Sequence, residues 1–192
     1  MDTTEWRRQP HAPTLSPGRV EFIEAQPMFF VGTAAAEGTV NVSPKGMDSL
    51  RVLGPDRLAW INLSGSGNET AAHVLAAKRM TLMWMSIGTT PIILRVYGQA
   101  TVVHPRDDAW AELSALFPDY GGARQVFDLT IERVADSCGS GVPIMSVEAD
   151  RGITELEPWY AEMTEEKLHG FWRRKNTTSI DGLPTAIFAD TE

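Results

Sequence analysis

Between Thr39 and Thr70 the chain reads TVNVSPKGMDSLRVL, a GPD turn and RLAWINLSGSGNET, with polar side chains recurring at every second place. Strand side chains point to alternate faces, so Asn41, Ser43 and Lys45 share one face and Val40 and Val42 share the other. Trp60, Asn62 and Ser64 likewise share a face, opposite Ala59, Ile61 and Leu63. At about 3.3 Å per residue, Asn41 to Lys45 spans roughly 13 Å. That is the reach of a small molecule carrying a phosphate at one end and a ring at the other. The amides can donate and accept hydrogen bonds, and the lysine can neutralise an anion. Trp60 could stack on a ring or be a core or interface tryptophan. The same alternation describes an ordinary sheet with one face in water. Lys45 and Trp60 beside two amides favour a binding face over that reading.

The second of these strands runs into Gly65-Ser66-Gly67-Asn68-Glu69-Thr70 and then AAHVLAAKR, which is rich in helix formers. Ser66 and Glu69 have the spacing of a capping box. A strand thus feeds a glycine loop that opens a helix, whose free N–H groups attract anions. Glu69 would oppose a phosphate placed there. His73, on this alanine-rich helix, reads as a surface residue.

VNVSPKGMDSLRVL, AWINLSGSGNETAAH, the ILRVYGQA strand and the late KNTTSIDGLP segment occur in that order. Together they resemble the pyridoxamine 5'-phosphate oxidase-related family, over roughly Ser16 to Pro184. The resemblance implies an FMN-binding split barrel of antiparallel strands with peripheral helices, a mainly β, α+β fold. It implies a homodimer with FMN in the subunit interface, held by Asn41, Ser43, Lys45, Trp60, Asn62, Ser64, Asn68, Glu69, Thr70 and Arg95. True pyridoxamine phosphate oxidases within the family carry basic residues after the third strand and end in an Arg-x-His substrate segment. This chain has Asn68-Glu69-Thr70 at the first place and SIDGLPTAIFADTE at its end, with no Arg-x-His. The resemblance therefore supports the fold and the flavin and argues against pyridoxamine phosphate as substrate.

Composition sets the frame. The 192 residues suit one domain, with an arm over residues 1–15, a flavin-binding barrel over 16–157 and a helical segment and tail over 158–192 of the same domain. No apolar run approaches the roughly 18 residues of a membrane span, and the N-terminus lacks the apolar stretch of a secretory signal. One cysteine, Cys138, excludes an internal disulfide and fits a reducing cytoplasm. It reads as a packing residue rather than a nucleophile. Four scattered histidines form no metal-ligand cluster. The net charge is −8: Ser16 to His104 is nearly balanced, whereas from Pro105 to Gly170 fourteen acidic residues face five basic ones. No basic stripe points to nucleic acid, and an acidic surface disfavours anionic membranes.

The remaining elements follow from periodicity and breakers. Pro17-Gly18 opens a short helix, Pro27 to Ala35 is an apolar strand and Glu37-Gly38 a hairpin turn. MTLMWMSI is a central strand, and Pro91 to His104 a long one with a bulge at Gly98. RDDAWAELSALF and GARQVFDLTIERVADS read as helices, VPIMSVEADRGITEL as a last strand, and WYAEMTEEKLHGFWRRKN as a helix. Arg173, Arg174, Lys175 and Asn176 could cover the partner subunit's site or simply match the helix dipole.

Flavin carries its own redox chemistry, which fits the absence of a Ser-His-Asp or paired-carboxylate constellation. The leading expectation is an FMN-dependent oxidoreductase acting on a small molecule, with an electron donor such as NAD(P)H. The alternatives are a flavin-binding carrier or sensor without turnover, a relative using the deazaflavin F420, or a dimer with an empty site. The catalytic residue cannot be named from the sequence.

Overall fold

The computed structural model describes residues 11–188. A short strand, β1 (His11–Ala12), precedes helix α1 (Pro17–Glu24) and strands β2 (Phe29–Thr33), β3 (Asn41–Lys45), β4 (Leu50–Gly54) and β5 (Arg57–Leu63). Helix α2 (Glu69–Ala77) leads to β6 (Arg79–Met85) and β7 (Ile92–Val103). Then come α3 (Trp110–Ser114), the long strand β8 (Ala123–Cys138), a π-helical turn (Gly152–Leu156), α4 (Glu157–Ala161) and α5 (Glu165–Lys175). Eight antiparallel strands form one open sheet in the order β3-β2-β6-β7-β8-β5-β4, with β1 added beside β8. This is the split-barrel architecture expected from the resemblance.

β8 corrects the sequence reading: the segment expected to be a helix is the longest strand, paired with both β5 and β7. Phe127, Ile131 and Val134 fall at i, i+4 and i+7, which imitates a helical stripe. The same stretch has Gln125, Phe127, Leu129 and Ile131 at period two, and two neighbouring strands satisfy its backbone. Strand pairing also explains Gly98, where the β7–β8 register shifts. A Cβ there would lie 2.0 Å from the Thr130 carbonyl oxygen.

Three further expectations are corrected. Residues 142–150 form no strand, and their backbone meets the barrel where Met145 N–H donates to the Ile87 carbonyl at 2.9 Å. The helix expected from Arg106 is confined to α3, because the Asp107 carboxylate turns back to accept from the His104 N–H at 2.8 Å. The last helix is two helices, because Thr164 restarts it as an N-cap, accepting from Lys167 N–H, with Glu165 and Glu166 in the first turn. α4 spans the expected boundary at residue 157. The expected arm lies outside the described residues through residue 10.

The core lies on both faces of the sheet. Leu58, Trp60, Leu82, Trp84, Leu94, Phe127 and Leu129 fill one side, and Ala59, Ile61, Val103, Leu113, Phe117 and Val126 the other. β5 is therefore buried on both faces. β3 is inverted relative to an ordinary edge strand: Asn41, Ser43 and Lys45 turn inward, while Val40 and Val42 are 68% and 65% exposed. Among the described residues no helix is long and apolar enough to cross a membrane.

Candidate functional site

The inward polar face of β3 borders a cavity of about 880 Å³, within the size range of cofactor sites. The end of β5, the glycine loop, the start of α2, the start of β8 and the segment from Ala149 to Tyr160 complete its wall. Of the residues expected at a site, Asn41, Ser43, Lys45, Asn62, Ser64, Asn68, Glu69 and Thr70 all line it.

Trp60 and Arg95 do not. Trp60 is fully buried, stacked on Phe127 at 4.6 Å and edge-on to Phe29 at 6.2 Å. Its indole lies beneath Lys45, whose Nζ sits 5.4 Å from the ring centroid, so it supports the lysine rather than facing the cavity. Arg95 donates to Ser137 Oγ at 3.0 Å and pairs with Ala135, at the other end of β8 from the cavity. His73, expected at the surface, is buried, with Nδ1 3.1 Å from Thr33 Oγ1. Cys138, expected to pack, is exposed.

The glycine loop is held from several sides. Arg124, at the start of β8, donates to the carbonyls of Gly65 at 3.3 Å and Gly67 at 2.7 Å. Asn176 donates to the Gly65 carbonyl at 2.9 Å, Trp172 Nε1 to Ser64 Oγ at 2.7 Å, and the Tyr160 hydroxyl to the Ser64 carbonyl at 2.7 Å. The C-terminal helices therefore brace this subunit's own loop. Asn176, read as either covering a partner's site or closing a dipole-matched helix end, is buried here, and Arg173 packs over Phe188. The capping box does not form: Asn68 is the N-cap, without a side-chain cap bond. Glu69 instead folds over Gly67, where a Cβ would meet Glu69 Oε2 at 2.3 Å.

Two cations share this cavity. Burial, helped by the Arg124 charge and opposed by Glu69, lowers the Lys45 ammonium to a pKa of about 8. Burial lowers Arg124 to about 10, opposed by Tyr160 and Glu69. Burial pushes the Tyr160 phenol above its usual value. Glu69 is the carboxylate felt at both cations. Ser43 Oγ, Asn68 Oδ1 and Arg124 Nε are buried without a hydrogen-bond partner among the described residues. Buried polar atoms normally have partners, so the pattern is that of a wall built for an anionic, hydrogen-bonding ligand.

Arg124, Tyr160, Trp159 and Gln125 escaped the sequence reading. Arg124 and Gln125 sat in the misread helix, and the available signal was the period-two run that begins just after Gly121-Gly122. The tyrosine depends on a glycine. A Cβ on Gly122 would fall 2.0 Å from Tyr160 Cε1. Gly122→Ala is expected to expel that ring and to destabilise the protein by about 1–3 kcal/mol, the usual cost of overpacking. Urea unfolding measures it, and an unchanged midpoint would show that the ring moves freely.

The comparisons with known proteins agree with this architecture. A family model described as pyridoxamine 5'-phosphate oxidase matches residues 16–138. The chain belongs to the pyridoxamine 5'-phosphate oxidase-related family. It is 34% identical over 187 residues to the pyridoxamine 5'-phosphate oxidase family protein ustO of Aspergillus flavus, covering 89% of this chain and 75% of that one. A candidate pyridoxamine 5'-phosphate oxidase from Lactobacillus delbrueckii superposes with a TM-score of 0.51 at 25% identity, over 64% of this chain and 94% of its own. HupZ of Group A Streptococcus does so with a TM-score of 0.52 at 17% identity, over 62% and 91%. Family membership gives the fold and the cavity a common frame. Among the described residues no group of three or more His, Cys, Asp or Glu side chains is placed to hold a metal ion.

Proposed function

We propose that this protein binds FMN and serves as a flavin-dependent oxidoreductase for a small molecule. The observation that carries the reading is the pair of buried cations, Lys45 and Arg124, in one cavity with unpartnered hydrogen-bonding atoms around them. Glu69 offsets only part of the cost of two desolvated like charges, since both remain lowered, and the phosphate of FMN would supply further negative charge. Asn41, Asn62 and Asn68 offer amides to a heterocyclic edge, and Ser43 and Thr70 add hydroxyls. Bound flavin would supply electron and hydride transfer itself. The chain's task is then to bind it, orient it and exclude water. Titration with FMN and FAD tests the binding. FMN is expected to bind more tightly, because the cavity offers one cationic cluster rather than two. Equal or tighter binding of FAD would overturn the reading. Reduction by NADH or NADPH followed by reoxidation separates an enzyme from a flavin carrier.

The affinity should depend on pH in a defined direction. The Lys45 charge is present below its pKa of about 8 and lost above it. Phosphate carries its second charge above about pH 6. FMN binding is therefore expected to be strongest between these limits and to weaken as pH rises past 8. Lys45→Ala should abolish that upper limb and weaken binding by about tenfold or more. Lys78→Ala, at an exposed site, should do neither.

We further propose a homodimer with the cavity at the subunit interface. Val40, Val42, Ile144 and Val147 are apolar and mostly exposed in the single chain, and apolar surface of this kind is commonly covered by a partner. Obligate interfaces bury more than about 2,000 Å². Sedimentation at micromolar concentration is expected to show a dimer, and an FMN-loaded monomer would refute the shared site.

A further inference from the structure

A chain of buried polar groups runs away from the cavity behind β5. Asn62 Nδ2 donates to Gln125 Oε1 at 3.0 Å, and Gln125 Nε2 lies 3.3 Å from His104 Nε2. All three residues are at most 3% exposed. His104 Nδ1 is 3.6 Å from the Asp107 carboxylate, and the Thr185 backbone also hydrogen-bonds the ring. Arg106 is the cation nearest to it in effect.

Each link has only one workable polarity. An amide nitrogen can only donate, so His104 Nε2 accepts from Gln125 Nε2 and the ring hydrogen belongs on Nδ1, on the side of the Asp107 carboxylate 3.6 Å away. Gln125 must then turn its NH2 toward His104 and its carbonyl toward Asn62. Asn62 in turn donates from Nδ2, which leaves Oδ1 without a partner among the described residues on a side chain that lines the cavity.

We propose that His104 and Gln125 are positioning residues for ligand recognition. They hold Asn62 so that the cavity meets its carbonyl oxygen and selects a ligand edge carrying an N–H. Protonation of His104 reverses the chain. With both ring nitrogens donating, Gln125 must present its carbonyl to His104 and its NH2 to Asn62, and the cavity then meets the NH2 of Asn62. Burial and Arg106 disfavour the imidazolium while Asp107 and Thr185 oppose them, and the balance lowers the His104 pKa below its usual value. The acceptor state is therefore the one present at neutral pH, and it is lost in acid.

The imide N–H of a flavin is an edge of this kind, and in its choice of ligand the inference rests on the function proposed above. Riboflavin is the suitable probe, since it has the imide and lacks the phosphate whose own titration would confuse the result. Its affinity for the full chain, read by fluorescence quenching, is expected to fall as the pH is lowered from 7 through the range where His104 protonates, by up to roughly tenfold, about the worth of one hydrogen bond lost inside a site. His104→Gln keeps an acceptor for Gln125 but cannot titrate, so whatever its affinity at pH 8, its profile below that pH should be flat. Gln125→Leu should bind more weakly at pH 8 and also lose the pH response. Coincident profiles for wild type and His104→Gln would overturn the proposal. A readout without ligand separates this from the flavin reading: nitrogen NMR of His104 at pH 8 is expected to show the Nδ1–H tautomer. The Nε2–H tautomer would refute the relay even if flavin binds. If riboflavin fails to bind at every pH while FMN binds, the assignment of the flavin imide to Asn62 falls, and the tautomer still decides the relay.

Discussion

Arg124→Ala is expected to weaken FMN binding by about 100-fold at pH 7. The side chain is 4% exposed, and its guanidinium both supplies charge to the cavity and grips the carbonyls of Gly65 and Gly67. A charge-assisted contact to a phosphate typically contributes about 1.5–3 kcal/mol. Freeing the glycine loop adds an ordering cost on binding. Together these approach about 3 kcal/mol, and each 1.4 kcal/mol is a factor of ten. Arg124→Lys retains the charge but not the two-pronged grip, so an intermediate loss is expected. A second signature follows from the electrostatics. Arg124 lowers the Lys45 pKa, so in Arg124→Ala the upper limb of the pH profile should move above 8. Calorimetric affinities across pH 6–10 check both effects. Wild-type affinity in Arg124→Ala would mean that the arginine is a loop brace and no part of an anion site.

The largest effect on stability is expected at Trp60. Trp60→Ala removes an indole that contacts Phe29 and Phe127 and whose Nε1 lies 3.5 Å from Met80 Sδ. Truncations of this kind cost about 3–5 kcal/mol, a large share of the roughly 5–15 kcal/mol that holds a domain folded. Trp60→Phe separates packing from recognition. It leaves a ring under Lys45, so it should lower the urea midpoint while changing FMN affinity less than about threefold. A loss above tenfold in affinity with unchanged stability would return Trp60 to the ligand-stacking role that its place on the Asn62 face first suggested.

Much of the site was legible in the sequence because its signals are local. The period-two alternation of Asn41, Ser43 and Lys45 is a property of the backbone in a strand, and those three side chains do share one face. The same reasoning paired Asn62 with Ser64 and led the strand through Gly65 and Gly67 into a helix. Those features survive because they depend on residues within a few positions of one another. Where local signals were ambiguous, the reading failed. Phe127, Ile131 and Val134 satisfied a helical spacing while Gln125, Phe127, Leu129 and Ile131 satisfied a strand's, and what decided between them was the pair of strands on either side of β8.

Alternation alone also left open which way a face points. A polar stripe is ordinarily the wet one. On β3 it faces the cavity and the valines face outward, because the C-terminal segment from Ala149 to Tyr160 closes over the polar side. The cation pair is likewise a product of the fold, since Lys45 and Arg124 meet only when β3 and the start of β8 border one cavity. The Asn62–Gln125 contact depends on antiparallel register, which sets those two residues opposite each other. A one-residue slip would turn one of them to the other face. The sequence by itself determined β3 and β5, their polar faces and the glycine loop. Only the tertiary structure decided which faces close on a cavity and which distant charges share it, because burial and charge proximity are properties of contacts between segments far apart in the chain.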